Sequence, residues 1–369
     1  MADLSIGGKT YNRRRVLVIA ELGSSHGGDL SRARRLTDAA AEAGADCIKF
    51  QIIHADEILH PNTGELTLPG GRIRLYDRFK ELEVEPDFYA RLKEHVESLG
   101  LLFLCTPFGP GSASELRALG PCLVKIASPE LNYTGILREI ASWQVPVLLS
   151  TGVSRLGDIE NAVEIMKEGG APRICLLHCV TAYPAPERDY NLRLLPNLAS
   201  IFGVSVGVSD HSRDPELVPA LSVAMGAAAV EKHFCLSRDD PGLDDPIALP
   251  PEAFARMAGA VRRASAEESG ETVEAYRRNR GVALVDAVLG TGIKELAPSE
   301  RENYRRTNRS IHALRDIAEG EIIEPGMFAV LRTEKILRPG LCPSMERVIL
   351  GRRAGQFIPS GEGIRFEDL

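Results

Sequence analysis

Two histidines stand at the ends of apolar runs in the sequence, where a buried strand would give way to a loop. His211 follows "VSVGVSD" (204–210), and His233 lies near the end of "AAVEKHF" (228–234). One histidine in such a place is most often a hydrogen-bonded structural residue. Two at the ends of successive strands can hold one divalent transition metal, with water or substrate completing its coordination. We therefore interpret His211 and His233 as candidate metal ligands.

Other residues capable of chemistry occur at the ends of the remaining apolar runs. A charge inside an apolar strand costs free energy unless it is paired or used. Lys49 taken alone could form a structural ion pair with Glu21, and His178 taken alone is typical of a core histidine. Two lysines together with several hydroxyls can instead clamp a phosphate and a carboxylate, which indicates metal-assisted chemistry on a small phosphorylated acid. The residues at these strand ends are Glu21, Lys49, Gln51, Thr106, Lys125, Ser128, Ser150, His178, Asp210 and Glu231.

The elements that must position these residues alternate along the chain. Short runs rich in β-branched residues or leucine are each followed by a loop and an amphipathic helical stretch, several of which end in glycine, a common helix C-cap. Eight such units within about 250 residues predict an α/β fold of the (β/α)8 TIM-barrel class. A doubly wound open sheet is the alternative, but no G-x-G-x-x-G follows the first run, which weakens its nucleotide-binding form. The predicted strands are residues 16–21, 46–51, 101–106, 122–128, 145–151, 173–179, 204–210 and 228–234.

The same pattern predicts the domain organisation. Catalytic residues of such barrels lie at the carboxyl ends of the strands. The segment 53–80 is too long for an ordinary connection there, so we expect it to carry binding function or to shield the site. The alternation stops after about residue 267. We predict a catalytic barrel over residues 1–285, a polar linker over 286–308 and a small β-rich domain over 309–369.

Composition narrows the class of protein. The net charge of −7 and the lack of a long basic run argue against a nucleic-acid partner. No stretch approaches the length of a membrane span, and the amino terminus has no apolar signal region. The seven cysteines include no C-x-x-C, which predicts reduced, mostly buried thiols and a cytoplasmic location.

Several stretches, in order along nearly the whole chain, resemble the N-acetylneuraminate (sialic acid) synthases and their bacterial nonulosonate relatives. The tail beginning "NRSIHALRDIAEGEII" is similar to the antifreeze-like (SAF) domain of that family. The other matching stretches are "IAELGSSHGGDLSRARRLTDAAAEAGADCIKFQ", "CTPFGPGSASELRALG", "VKIASPEL", "LLSTGVS", "LLHCVTAYPAPERDYNLR", "GVSDHS" and "VEKHFCL".

The resemblance implies a reaction and a role for each candidate residue. Phosphoenolpyruvate would condense with the aldehyde carbon of an open-chain sugar, giving a 2-keto-3-deoxy sugar acid and phosphate. Glu21 would be the acid/base residue, with Lys49, Lys125 and His211 as further catalytic residues. His211 and His233 would bind Mn²⁺ or Mg²⁺. The residues implied to surround phosphoenolpyruvate are Lys49, Thr106, Lys125, Ser128, Ser150, Ser209 and His211, and those implied to face the sugar are Gln51, Glu130, Thr181, Tyr183 and Asp244.

The resemblance also implies a domain-swapped homodimer, in which Arg309 reaches the site of a partner subunit. Three positions depart from the family pattern on the expected sugar side. Pro129 stands where glycine is common, Thr181 where asparagine or serine is common, and Asp245 where histidine is common. The implied aldehyde is therefore left open between N-acetylmannosamine, its 6-phosphate and the precursors of legionaminic or pseudaminic acid.

Two alternative functions remain at this point. A metal-dependent pyruvate aldolase acting on a sugar aldehyde would need no phosphate clamp and would release no phosphate. A non-catalytic sugar-binding descendant would have no reason to keep Glu21, both lysines and both histidines together.

Overall fold

A parallel barrel forms the larger part of the protein. The computed structural model describes residues 2–68, 71–85, 87–334 and 336–369. Its eight strands are β3 (Leu17–Gly23), β4 (Cys47–Ile52), β7 (Leu102–Pro107), β8 (Val124–Ile126), β9 (Val147–Ser150), β10 (Ile174–Cys179), β11 (Ser205–Asp210) and β12 (Ala229–His233). They lie in the order β7–β4–β3–β12–β11–β10–β9–β8, and β7 also contacts β8, so the sheet curls into a nearly closed barrel as predicted.

A short hairpin closes the amino-terminal end of the barrel. Its strands are β1 (Leu4–Ile6) and β2 (Lys9–Tyr11), which pair antiparallel. Leu4, Ile6 and Tyr11 pack against the inward-facing apolar residues of the barrel strands. Since this end is filled by side chains, the carboxyl ends of the strands are left as the open face of the barrel.

Helices cover the outside of the barrel with their apolar faces. The helix α1 begins after Asp29, whose side chain accepts a hydrogen bond from the backbone N–H of Arg32, and it buries Leu36 and Ala40. No helix in the described part of the chain is long and apolar enough to cross a membrane. The helices that follow the strands are α1 (Leu30–Glu42), α4 (Asp87–Ser98), α5 (Pro110–Ala118), α6 (Thr134–Ala141), α7 (Leu156–Glu168), α8 (Leu194–Phe202), α9 (Leu217–Ala224) and α10 (Pro251–Ala266).

Two further helices follow α10. They are α11 (Ser269–Arg280) and α12 (Val282–Leu289). The predicted domain boundary at residue 285 falls inside α12. That helix ends where Gly290 adopts a φ of 60°, a conformation open to glycine.

The long segment after β4 has secondary structure of its own. It contains α2 (Ala55–Ile58), the antiparallel strands β5 (Glu65–Leu68) and β6 (Gly71–Arg74), and α3 (Leu75–Lys80). Residues 69 and 70 of the segment lie outside the described residues. Because it starts at the carboxyl end of β4, this segment lies beside the open face, and Leu59 forms a β-bridge with Arg332 of the carboxyl-terminal region.

The carboxyl-terminal region is β-rich and small, as predicted. Strands β13 (Arg309–Ala313) and β14 (Phe328–Arg332) pair antiparallel, and a single short helix, α13 (Glu346–Ile349), lies among loops and isolated bridges in its described part. Ile311, Ile317 and Ile358 are fully buried in this region. The chain thus folds into a barrel followed by a compact β domain, with the linker passing over the open face.

Candidate active site

The two candidate metal ligands lie side by side at the open face. Strands β11 and β12 are neighbours, and the ring centroids of His211 and His233 are 5.4 Å apart. Nδ1 of His211 is 3.0 Å from the carbonyl oxygen of Val180. Because a carbonyl can only accept, Nδ1 donates its proton to it, and Nε2 is the ring nitrogen left to contact a metal. Burial lowers the pKa of His233 to about 3, so its imidazole is neutral at physiological pH and able to bind a metal.

A buried ion pair anchors the turn that carries His211. Nζ of Lys232 lies 2.5 Å from Oδ2 of Asp210 and also donates to the carbonyl oxygen of Ser212, 2.5 Å away. The backbone N–H of His211 donates to the hydroxyl oxygen of Tyr190 at 2.7 Å. Since Asp210 and Lys232 point away from the barrel interior, these contacts hold the turn from behind while His211 faces the open site.

Four charged residues meet inside the barrel mouth, which is the opening of the barrel at its open face. Nζ of Lys49 is 2.7 Å from Glu21 and 3.7 Å from Glu231, and Nζ of Lys125 is 3.9 Å from Glu231. Burial acts to lower the pKa of Lys49, but Glu21 and Glu231 outweigh it and raise that pKa above its usual value. Burial acts to raise the pKa of Glu231, yet Lys125 and Lys49 bring it to about 2. Lys49 is therefore a cation and Glu231 a carboxylate at neutral pH.

The bend at the end of β3 directs Glu21 into this cluster. The pairing of β3 with β4 shifts register between Glu21 and Gly23, which is a β-bulge. Gly23 has a φ of 48°, and a Cβ there would lie 3.1 Å from Oδ2 of Asp244. Glu21 also accepts a hydrogen bond from the side-chain amide of Gln51. The bulge thus places one carboxylate against both Lys49 and Gln51.

The hydroxyl groups predicted to bind phosphoenolpyruvate line the same mouth. Oγ of Ser150 accepts from Nζ of Lys125 at 2.7 Å, and Oγ of Ser209 donates to Glu231 at 2.9 Å. Oγ of Ser128 accepts from the backbone N–H of Gly152 at 3.0 Å. Thr106 is buried, and its Oγ1 has no hydrogen-bond partner. A buried hydroxyl without a partner is available to donate to a bound anion.

The residues around the two histidines fit an open metal site. Within the described part of the chain, no group of three or more His, Cys, Asp or Glu side chains is arranged to hold a metal ion. Two imidazoles can still bind a divalent transition metal whose other positions are taken by water or substrate. The donor set therefore fits a metal that exchanges ligands during a reaction, and does not fit a closed structural site.

Two residues predicted to face the sugar lie next to the histidines. The ring of Tyr183 stacks on His211 with centroids 4.3 Å apart and is 47% exposed. Oδ2 of Asp244 is 3.8 Å from Nδ1 of His233. Burial raises the pKa of Asp244 above its usual value. With Gln51, these side chains border the accessible side of the mouth.

Glu130 and Arg309 occupy different surroundings from those expected. Glu130 is completely buried, and its Oε1 accepts from Arg309 at 2.9 Å and from Arg332 at 2.7 Å. Arg309 donates its other N–H groups to the carbonyl oxygens of Glu57, Phe108 and Val330. Within one chain, their charges therefore hold the carboxyl-terminal domain on the barrel, while the roles of Glu130 towards the sugar and of Arg309 in a partner's site stay predictions.

We expect the substitution Arg309→Met to lower the free energy of unfolding by about 3 kcal/mol, because it leaves the buried Glu130 carboxylate with Arg332 as its remaining cation. The control is Arg315→Met in the same domain. Arg315 forms an exposed pair with Glu321, so this variant should unfold like the wild type. Urea unfolding of both variants measures the difference. Equal midpoints for the two variants would contradict the assigned role of Arg309.

Two of the three departures from the family pattern have structural explanations. Pro129 lies in the first turn of the 3₁₀ helix Ser128–Asn132, where its fixed φ and missing N–H are tolerated. Asp245 is fully buried, bonds to the hydroxyl of Ser25 and accepts from the backbone N–H of Gly242 at 2.8 Å. Asp245 therefore does not face the sugar but ties its loop to the turn after β3.

Several residues at the site were not assigned a role from the sequence. Glu231 bridges the two lysines, and Sγ of Cys179 is 3.8 Å from Nδ1 of His211. Glu300 of the linker accepts hydrogen bonds from two loops at the mouth. Glu231 lies two residues before His233 on β12, so the period-2 alternation of side chains along a strand could have identified it. The other two depend on contacts between distant segments, which a single sequence does not display.

The chain matches two sequence families. The model of the NeuB family matches residues 36–273, and that of the SAF domain matches residues 308–369. The spore coat polysaccharide biosynthesis protein SpsE of Bacillus subtilis is 32% identical over 100% of this chain and 98% of its own length. The N,N'-diacetyllegionaminic acid synthase of Campylobacter jejuni is 32% identical over 86% of this chain and 91% of its own.

Solved structures show the same similarity. The crystal structure of the Bacillus subtilis SpsE protein superposes with a TM-score of 0.82, covering 100% of this chain and 99% of the other. The N-acetylneuraminic acid synthetase of Leptospira borgpetersenii, solved with citrate, is 31% identical with a TM-score of 0.66 and covers 82% of this chain and 95% of the other. Both domains and their order are therefore shared with proteins of this kind.

Proposed function

The chain belongs to the NeuB family, with a carboxyl-terminal SAF domain, and we propose that it condenses phosphoenolpyruvate with an open-chain amino-sugar aldehyde. The products would be a nonulosonic acid and phosphate. The observation that carries this proposal is the adjacency of two features at one barrel mouth: a pair of neighbouring histidines and a buried cluster of two lysines with hydroxyls. The relatives named as synthases of legionaminic and sialic acids support the same reaction class.

The lysine cluster supports phosphoenolpyruvate as one substrate. Lys49 and Lys125 would face its phosphate and carboxylate, and the hydroxyls of Thr106, Ser128 and Ser150 would donate to its oxygens. Because the charges of the two lysines are balanced by Glu21 and Glu231, the mouth has little net positive charge of its own. A trianionic ligand would therefore bind far better together with a divalent cation than alone.

His211 and His233 would hold that cation through their free ring nitrogens. A bound divalent metal would supply Lewis-acid polarisation of the aldehyde oxygen. Magnesium takes oxygen ligands and keeps several of its waters, whereas manganese, a transition metal, also accepts imidazole nitrogen. We therefore propose Mn²⁺ as the preferred ion and Mg²⁺ as a weaker substitute.

Glu21 is the residue we assign to proton transfer. Its carboxylate is buried, and it lies between Lys49 and Gln51, on the strand next to the one that carries His233. In the proposed reaction, C3 of phosphoenolpyruvate forms a bond with the aldehyde carbon, and water then adds at C2. The tetrahedral intermediate expels phosphate as its C2–O bond breaks. Glu21 would move the proton between the attacking water and the new hydroxyl group.

The sugar would lie on the side of Tyr183, Asp244 and Gln51. These residues offer a ring, a carboxylate and an amide to hydroxyl and N-acyl groups. Thr181 also borders this side, where its Oγ1 is near Cys179. These four side chains would determine which N-acylated aldehyde is preferred.

A domain-swapped homodimer remains part of the proposal. Within one chain the SAF domain contacts its own barrel through Arg309 and Glu130. A swap would form the same ion pair between two subunits without altering either surface. Light scattering of the purified protein at several concentrations measures the oligomeric state directly.

The experiment that tests the proposed function is phosphate release from phosphoenolpyruvate with N-acetylmannosamine, its 6-phosphate or 2,4-diacetamido-trideoxy hexoses. We expect release that requires one of these aldehydes and Mn²⁺, and that stops on addition of a chelator. Product formation from pyruvate, with no use of phosphoenolpyruvate, would instead favour the aldolase. Absence of phosphate release with every aldehyde, by a protein that still binds Mn²⁺, would contradict the proposal for these substrates.

A further inference from the structure

The linker between the two domains binds two loops at the barrel mouth through one buried carboxylate. Glu300 lies in the 3₁₀ helix Pro298–Glu300 and is 1% exposed. Its Oε1 accepts from the backbone N–H of Val153 at 2.6 Å and from that of Thr181 at 3.0 Å. Its Oε2 accepts from the N–H of Ala297 at 3.1 Å. A single side chain therefore joins the loop after β9, the loop after β10 and the linker itself.

Other linker side chains bind the remaining backbone groups of the same two loops. Nδ2 of Asn308 donates to the carbonyl oxygen of Val153 at 3.2 Å, and Nδ2 of Asn303 donates to that of Thr181 at 3.0 Å. Nζ of Lys294 donates to the carbonyl oxygen of Thr151 at 3.2 Å. Both the N–H and the C=O of Val153 and of Thr181 are thus bound by the linker, so the position of these loops depends on it.

The loop after β9 needs such support because its backbone is strained. Val153 has a φ of 42°, a left-handed conformation that costs a β-branched residue free energy unless its surroundings enforce it. The preceding residue, Gly152, has no space for a side chain, since a Cβ would lie 2.1 Å from Oγ1 of Thr181. The loop can therefore follow this path only while its contacts with the linker hold it there.

This strained loop sets the positions of the hydroxyl groups at the mouth. The N–H of Gly152 donates to Oγ of Ser128, and Ser150 at the end of β9 contacts Lys125. A shift of the loop would move both hydroxyls relative to the lysine. The chain of contacts runs from Glu300 through the Val153 amide to the two serines assigned to phosphoenolpyruvate.

We propose that Glu300 is a positioning residue for phosphoenolpyruvate binding, an inference that rests on the proposed function. Its carboxylate is suited to the task because it offers only acceptors to three converging N–H groups. An amide in its place would turn an NH₂ group towards one of those donors. Through Glu300, the linker makes the substrate pocket of the barrel depend on the segment that carries the SAF domain.

The test compares Glu300→Gln with Glu302→Gln, an exposed glutamate two residues further along the same linker. Calorimetric titration of each protein with phosphoenolpyruvate in the presence of Mn²⁺ gives the affinity, and steady-state kinetics give KM and kcat. We expect Glu300→Gln to weaken phosphoenolpyruvate binding and raise its KM by about 10- to 100-fold, the range for losing hydrogen bonds to a charged group. The affinity of Glu300→Gln for Mn²⁺ alone should stay within about twofold of the wild-type value. The affinities and kinetic constants of Glu302→Gln should also stay within about twofold of the wild type.

A milder variant keeps the test decisive if Glu300→Gln folds poorly. Asn303→Ala removes only the hydrogen bond to the Thr181 carbonyl and should raise the KM for phosphoenolpyruvate by about 3- to 10-fold, the range for one neutral hydrogen bond. A purely structural role would lower the melting temperature without this selective change in KM. Wild-type protein that fails to bind phosphoenolpyruvate would overturn the proposed function and this inference with it. Wild-type binding together with unchanged affinity in both variants would overturn the inference alone.

Discussion

Replacing His233 by alanine is expected to abolish Mn²⁺ binding and phosphate release together. His233 would supply one of only two protein ligands, and a single imidazole from His211 cannot retain the ion at micromolar concentrations of metal. A Lewis acid contributes several kcal/mol to transition-state stabilisation, and each 1.4 kcal/mol is a factor of ten in rate. We therefore expect kcat to fall by roughly three orders of magnitude or more. Metal content after dialysis and phosphate release measured on the same sample check both parts of this prediction.

His95→Ala is the matched control for His233→Ala. His95 lies on the outside of the barrel in α4 and pairs with Asp38 at 2.7 Å, far from the mouth in the fold. Its loss should leave metal content and turnover at wild-type levels. Turnover of the His233→Ala protein at the wild-type rate, in the absence of bound metal, would show that the reaction does not use a metal at these residues.

Much of the fold follows from local sequence pattern. Each of the eight predicted strands overlaps an observed strand, because buried parallel strands appear as apolar runs bounded by turn-forming residues. The barrel geometry then brings Lys49, Lys125, His211 and His233 to one face without any further information. The predicted boundary at residue 285 falls inside α12, which continues the apolar pattern for one more turn before Gly290.

Contacts between distant segments account for what the sequence could not predict. Glu130 and Arg309 are 179 positions apart, and their ion pair exists only once the SAF domain rests on the barrel. Asp245 similarly contacts Ser25, which is 220 positions away in the sequence. Polar residues of these types also occur in ligand-binding sites. Nothing in a single sequence distinguishes a buried structural charge from one that binds substrate.

Glu21→Gln should separate substrate binding from chemistry. The substitution keeps the shape of the side chain and removes its negative charge and its ability to take up a proton. We expect kcat to fall by about 10²- to 10⁴-fold, the usual contribution of a general acid or base. Phosphoenolpyruvate should bind at least as tightly as to the wild type, because Lys49 loses a carboxylate 2.7 Å from its Nζ and the mouth becomes more positive. Steady-state kinetics and calorimetric titration measure the two quantities on one protein.

Glu231→Gln distinguishes proton transfer from a simple change of charge. Glu231 is also buried and lies near both lysines, so its substitution removes the same charge from the same cluster. If Glu21 acts only by balancing Lys49, the two variants should lose kcat to a similar extent. If Glu21 transfers a proton, Glu21→Gln should lose at least tenfold more kcat than Glu231→Gln, while both bind phosphoenolpyruvate. A Glu21→Gln protein with wild-type kcat would exclude Glu21 as the acid/base residue and would leave its pairing with Lys49 as its role.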